Sequence, residues 1–358
     1  MDISQDVQEI KKRPELKEPD SEKERVPYIA RGGVMNNGNA LVFAYLLDGK
    51  GGGTAVDMHD MESWNSDHGL LWIHLDSKNQ EAQAWLEKKS GLSSLTCESL
   101  LEQETRPRNI QSDDGLLLIL RGVNCNPGAD PEDMVAIRML LTEHRIISMR
   151  YRRIMVVQDI KEAIDKAKGP MTTGEFLVMI TELIADRMGD VVVEIDDKAG
   201  ELENLVLTAE SHELRGQLAD LRRTSISLRR YIAPQRDVMA RLLHDRISWL
   251  TDLDRAHLRE VAERTARYVE DIDSARERAA VTQEELNNRL SEQMNKAMYV
   301  LSIVAAIFLP LGLLTGLLGI NVGGIPGTES KWAFALVTVL LIGLAVFLLA
   351  WFRKLKWI

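Results

Sequence analysis

The residues best suited to meet an ion in this sequence are uncharged and sit in an apolar stretch. Positions 291, 295, 298, 302, 305, 309, 312, 316 and 319, at alternating steps of four and three, read Ser, Asn, Met, Ser, Ala, Leu, Gly, Gly and Gly. That spacing is one helical face, small or weakly polar almost throughout. Asn321 ends it, inside "TGLLGINVGGIPG" (Thr315 to Gly327). Close packing of membrane helices accounts for the glycines alone. Asn295, Ser302 and Asn321 ask for more, because polar groups at membrane depth face water or a partner. A ring of such helices makes a narrow, neutral pore ending in a ring of carboxamides. Their oxygen dipoles hydrogen-bond the water shell of a cation without holding the ion too tightly to release. Gly319 lets the backbone bend and bring its carbonyl toward the axis. Neither Met298 to Leu318 nor Trp332 to Phe352 contains Cys, His, Asp or Glu, so a divalent ion is expected to pass with most of its hydration shell.

Other candidate ligands lie outside the spans. His59 with Asp60, Asp67 with His68, and His74 fall close in sequence, and Glu270, Asp271 and Asp273 cluster further on. No histidine pair has clean ligand spacing, and a solvated face is the ordinary reading of the acids. Facing the axis of a ring, however, each acid would be repeated around it and would concentrate cations. A phosphate-cradling glycine loop, a nucleophile motif and HExxH are all lacking, so an enzyme is not expected. The net charge of -10, without a basic stripe interleaved with aromatics, speaks against nucleic acid. Cys97 and Cys125 form no CxxC pair, which indicates neither a disulfide framework nor a thiolate metal site.

The elements that must position these residues are legible from pattern. Residues 1–39 are charged and proline-bearing, without an apolar core segment, and are expected to be a disordered tail. Short apolar runs follow, "LVFAYLLD" (41–48), "LLWIHLD" (70–76), "LLLILRGV" (116–123) and "MVAIRMLL" (134–141), the last leading through "TEHR" into "IISMR" as a hairpin. Helical patterns, "NQEAQAWLEKK" and "SSLTCESLLEQE", lie between them, so 40–168 is expected to be an α/β domain. From 172 to 297 the pattern becomes a long-helix stalk. Its first helix opens on a capping box, Thr172 with Glu175, and runs to about Leu207; its second runs from about Ser211 to Leu243 and is interrupted at Pro234.

The third helix begins near Asp252 and keeps one apolar or small face to 301 without glycine or proline until Pro310. It therefore passes straight into a membrane span, with Glu260–Arg264 and Glu263–Arg267 as supporting pairs four residues apart. The spans 298–318 and 332–352 are each long enough to cross a bilayer. Arg289 and Lys296 precede the first, Arg353, Lys354 and Lys356 follow the second, and Lys331 alone lies between. That balance places both termini in the cytoplasm and the loop 319–331 outside, with 353–358 a basic cytoplasmic end.

Together these features resemble the CorA superfamily of metal-ion transporters over about residues 40 to 358. "GIN" (Gly319, Ile320, Asn321) with "VGGIPG", "ETRPR" (104–108) and "RRYIAPQRDV" (229–238) resemble its ZntB-type zinc-transporter branch. The resemblance implies a funnel-shaped homopentamer in the bacterial inner membrane, with zinc as transported ion rather than cofactor. It implies a selectivity motif at Gly319, Ile320 and Asn321, and pore-lining positions Asn295, Met298, Leu301, Ala305, Leu309 and Gly312, with Met298 and Leu301 as apolar constrictions. It also implies coupling to protons, yet neither span holds an Asp, Glu, His, Lys or Arg, which leaves water, Glu329 or cytoplasmic acids as the route. Magnesium, cobalt or nickel are alternative ions, and a membrane-tethered metal-sensing module is the alternative of another class.

Overall fold

The computed structural model describes residues 41–103, 105–208, 212–319 and 331–354. The expected tail, the loop motif from Ile320 through Glu329 and the end from 355 fall outside the described residues.

Seven strands form one mixed sheet: β1 (Leu41–Leu47), β2 (Gly53–Ala55), β3 (Leu70–Asp76), β4 (Arg108–Ser112), β5 (Gly115–Gly122), β6 (Val135–Leu141) and β7 (Arg145–Arg150). Their order is β2-β1-β3-β7-β6-β5-β4, and every pairing is antiparallel except the central β3–β7. A parallel pair must be covered on both faces. Accordingly β3 reads LLWIHLD and is buried along almost its whole length. One face carries Leu71, Ile73, Leu75, Leu117 and Leu140 against Trp85, Leu86 and Leu100 of α2 (Gln80–Lys88) and α3 (Ser94–Leu101). The other carries Trp72, Leu118, Leu120, Ile137 and Met139 against α4 (Met155–Asp165) and the stalk. Two edge strands escape a reading based on apolar runs: β2 has three residues, and β4 (RNIQS) is polar and partly exposed. A short helix, α1 (Met58–Ser63), precedes β3.

The stalk comprises α5 (Thr173–Thr208), α6 (His212–His244) and α7 (Asp252–Gly319). Half of the expected capping box opens α5: the Glu175 amide donates to Thr172 Oγ1 at 3.1 Å, while the Glu175 carboxylate accepts from the Met171 amide at 2.7 Å, one residue before the cap. At the start of α7, Thr251 and Asp254 form a complete box, each side chain accepting from the other's amide. The expected interruption of α6 at Pro234 does not occur: the helix continues through it. Proline costs one backbone hydrogen bond, and the apolar face Leu228, Ile232, Val238, Met239 and Leu242 holds the helix in line by packing on both sides of it.

α7 is one continuous helix of 68 residues, on the order of 100 Å long. Its buried face from Asp254 to Leu286 lies in the groove between α5 and α6. Ion pairs fix the register: Glu182 with His257 (3.1 Å), Asp186 with Arg264 (2.5 Å) and Asp196 with Arg278 join α5 to α7, while Arg229 with Asp273 (2.6 Å) joins α6 to α7. The expected pairs Glu260–Arg264 and Glu263–Arg267 are not among the ion pairs of the described residues, and Arg264 turns to Asp186 instead. Arg264 itself lies partly sheltered while Asp186 is exposed, so the pair gains from the covered guanidinium and is otherwise of the modest surface kind. α5 comes close enough to α7 for a side chain at Gly189 to meet the Tyr268 hydroxyl, 2.6 Å from where a Cβ would stand.

After α7 comes α8 (Ala333–Lys354). The distal part of α7 and the whole of α8 are long and apolar enough to cross a membrane, and neither is buried within the chain.

A candidate ion pathway along the long helix

The small and weakly polar positions of distal α7 lie on one side of the helix. Asn295, Met298, Leu301, Leu309, Gly312 and Gly319 are exposed, and Ala305 is half-buried among larger neighbours. The partly covered positions Ile303, Ile307, Leu311 and Leu314 face the opposite way. α8 packs on α7, and apart from Ala305 the predicted pore face is exposed. Ile320 and Asn321 of the motif, the two residues that follow the exposed Gly319, lie outside the described residues.

Hydroxyls along this region donate inward. Ser291 Oγ donates to the Asn287 carbonyl (2.8 Å), Ser302 Oγ to the Met298 carbonyl (2.8 Å) and Thr315 Oγ1 to the Leu311 carbonyl (3.0 Å). With each proton bound to the helix's own backbone, the oxygens are left as acceptors. A face of acceptors suits water molecules whose hydrogens point away from a cation.

The same face continues far into the stalk. Counting back from 291 by alternate steps of three and four gives 288, 284, 281, 277, 274, 270, 267, 263, 260, 256 and 253, and every one is exposed. They read Asn, Glu, Val, Glu, Ser, Glu, Arg, Glu, Glu, Ala and Leu. A single seam thus runs from Leu253 to Gly319, rich in glutamate in the stalk and neutral in the span. Apart from Glu270, the stalk half is missing from the sequence-based candidates, although the same step pattern reveals it. Of the three acids singled out there, Glu270 lies on the seam and Asp271 beside it. Asp273 is held by Arg229 and is 3.7 Å from Arg276, so it does not face the pathway as a free carboxylate. Where stalk meets span, Arg289 donates to the carbonyls of Val206 (3.3 Å) and Leu207 (3.0 Å), placing a cation on the last turn of α5. Lys296 pairs with Glu292 at 2.8 Å and holds that carboxyl below its usual range.

The histidine candidates do not assemble. His74 is fully buried, stacked on Phe43 at 5.0 Å, and burial followed by the nearby Arg150 lowers its pKa to about 3. Ser148 Oγ accepts from Trp72 Nε1 (2.8 Å) and donates to the Ile73 carbonyl (3.1 Å), so its remaining lone pair takes the His74 Nδ1 proton at 2.8 Å. That assigns a neutral tautomer with a bare Nε2, which has no partner among the described residues. His59 and Asp60 are exposed on α1, where Asp60 helps to cap the helix. Asp67 and His68 border a cleft of about 460 Å³ that Glu143 and His144 also line. Among the described residues, no three His, Cys, Asp or Glu side chains come together to share a metal.

Two further sequence stretches singled out above meet around Arg121. Its Nε donates to the Thr105 carbonyl (2.9 Å), its guanidinium lies 4.0 Å over the Tyr231 ring, and its amide donates to Gln235 Oε1 (2.7 Å). "ETRPR" and "RRYIAPQRDV" therefore join the sheet to α6, away from the seam.

The model of the family described as CorA-like Mg2+ transporter protein matches residues 67–354. A protein of Pseudomonas aeruginosa named divalent cation transporter CmaX is 40% identical over 89% of this chain and 97% of its own length. The zinc transport protein ZntB of Yersinia enterocolitica is 35% identical over 88% of this chain and 96% of its own. Among solved structures, full-length CmaX superposes with a TM-score of 0.78, covering 90% of this chain and 100% of that one. The CorA magnesium transporter of Methanocaldococcus jannaschii, 20% identical, shares the fold at a TM-score of 0.74, covering 88% of this chain and 98% of that one.

Proposed function

The chain belongs to the CorA-like Mg2+ transporter family, and on that premise we propose that it moves divalent cations, zinc foremost, through a pore walled by several copies of α7. Zinc is favoured because relatives named for zinc transport match along most of the chain. The observation that carries the pore itself is the seam from Leu253 to Gly319, exposed at every position but the half-buried Ala305. Two membrane helices cannot enclose a channel, so the pore needs an assembly of copies, and the family resemblance sets the number at five. In this reading both termini and the α/β domain are cytoplasmic, and the loop from Gly319 to Lys331 faces the other side of a bacterial inner membrane.

Met298 and Leu301 narrow the cytoplasmic end of the span, Ala305, Leu309 and Gly312 line it, and Asn321 presents carboxamides to the hydrated ion at its outer mouth. Zinc prefers histidine nitrogen and cysteine thiolate ligands, and neither residue lies on this face. Selection by hydrated size and by access to the pore fits these residues better than capture of a bare ion.

The test is flux of purified full-length protein in proteoliposomes, comparing zinc, magnesium, cobalt and nickel with and without a pH gradient. Zinc flux is expected, and Asn321→Ala is expected to lower it by roughly tenfold or more with the assembled mass unchanged. Undiminished flux in that variant would remove the role given to Asn321. Metal binding without flux in the full chain would favour a membrane-tethered sensing module. Zinc flux that ignores the pH gradient would dispense with proton coupling.

A further inference from the structure

α5 and α6 carry opposite charge on the flanks of the stalk. α5 has nine acids against two bases, and α6 has seven arginines against three acids. Part of this charge is used inward: Asp186 and Asp196 bind α7 from one side, while Arg222 reaches Gln283 of α7 at 3.0 Å and Arg229 reaches Asp273 from the other. The remainder forms two exposed stripes beyond those shoulders. Asp190, Val193, Glu194, Asp197 and Glu201 follow one face of α5, and Arg215, Arg223, Ile226 and Arg230 follow one face of α6. Within α5, Asp190 with Glu194 and Asp197 with Glu201 are like charges four residues apart, an arrangement that destabilises a lone helix by a few tenths of a kcal/mol per pair. Each stripe also contains an exposed branched apolar side chain, Val193 at 60% and Ile226 at 46% exposure.

The two stripes lie at the same height. On α7, Asp273 stands between Arg264 and Arg278, which bind Asp186 and Asp196 of α5; interpolation puts it level with residues 192 and 193, and it binds Arg229 of α6. Arg230 is then level with Asp190, Arg223 with Asp197 and Ile226 with Val193, each to within about three residues, less than one helical turn. α5 and α6 pack on each other as well as on α7, and among the described residues no ion pair joins one stripe to the other within the chain. Rotation about an axis parallel to the stalk preserves height and brings the α5 flank of one copy to the α6 flank of the next.

We propose that these stripes are the two halves of a head-to-tail interface between copies of this chain, with Asp190 facing Arg230, Asp197 facing Arg223, and Val193 packed on Ile226 between them. Two different, complementary surfaces generate a closed ring when the rotation closes, and this arrangement keeps the α7 seam on the inside. Among the described residues Arg223 pairs with Asp220 of its own helix, an exposed pair at 3.0 Å, and exposed pairs of this kind exchange at little cost. The inference rests on the pore reading in so far as that reading needs several copies.

The full chain carrying Cys125→Ser, which removes the exposed native thiol, tests it with a short bismaleimide cross-linker. The double variant Val193→Cys, Ile226→Cys is expected to give a ladder of covalent multimers on a denaturing gel, each single variant only monomers, and a mixture of the two single variants nothing above dimers. Asp190→Arg with Asp197→Arg is expected to cut the cross-linked yield roughly tenfold at moderate salt, and adding Arg223→Asp with Arg230→Asp to restore it, with helix content unchanged by circular dichroism. Dimers from either single variant, no ladder from the double variant, or a loss that the second charge swap does not restore would each overturn the interface. Wild-type zinc flux measured alongside separates the two readings: flux without the ladder removes this interface and leaves the pore, whereas the ladder without flux supports the interface and removes the pore.

Discussion

His74 shows how a residue type associated with metal binding is committed to a core instead. Its folded pKa of about 3 lies below the unfolded value of 6.5. Between those values the unfolded chain binds the proton and the folded chain does not, so this histidine contributes stability above pH 6.5 that is lost as pH falls toward 3. The slope is at most about 1.4 kcal/mol per pH unit. His74→Phe preserves the stacking on Phe43 and does not titrate; its melting temperature is expected to depend less steeply on pH between 6.5 and 4 than that of the wild type, and parallel profiles would contradict the assignment. Arg121 is the other residue whose role emerges only in three dimensions. Its partners Thr105, Tyr231 and Gln235 are scattered along the sequence, so no spacing rule could assemble them. The motif residues around it were visible as a family resemblance, but their purpose, tying sheet to stalk, was not.

At the scale of elements, the stretches with a long period and little ambiguity were legible. The apolar runs became β1, β3, β5, β6 and β7, and the three stalk helices and α8 begin and end within a few residues of their expected bounds. The shortest and most polar pieces were not legible, since β2 and β4 gain their strand geometry from the neighbour they pair with rather than from their own composition. Pro234 misled because local propensity argues for a break, whereas the apolar face packed on either side of it outweighs one lost hydrogen bond. Helix contacts make their own prediction. Gly189→Val would force the Tyr268 ring away from α5 and is expected to lower stability by about 1–3 kcal/mol, read as a drop in melting temperature, while Gly200→Val, in open space on the same helix, is expected to be neutral or slightly stabilising because valine is the better helix former.

For the whole molecule, the seam joins two chemistries on one helix. Its stalk half presents Glu260, Glu263, Glu270, Glu277 and Glu284 with Arg267 as the single cation, and its distal half presents no charge at all. A ring of such faces would raise the local concentration of cations at the entrance to a neutral passage. Changing these five glutamates together to glutamine is expected to lower zinc flux several-fold at low ionic strength and much less near 0.5 M salt, where the field is screened within a few ångströms. An equal loss at both ionic strengths would point to direct ligation instead. The distal half was evident from its glycines and asparagines. The stalk half was hidden because charged residues on a helix ordinarily mean only a wetted surface, and their alignment with the span shows once the helix is seen to be unbroken.

That continuity also has a consequence in time. α5 and α6 leave the ribosome with their apolar faces uncovered, and the helix that covers them is the same one that goes on to enter the lipid. Leu286, the last of its buried stalk positions, precedes Met298, the start of the span, by twelve residues, about a second or two of synthesis. Completion of the water-soluble core and delivery of the first span to the membrane are thereby made nearly simultaneous events, so a defect in either leaves the nascent chain with the apolar surface of both exposed.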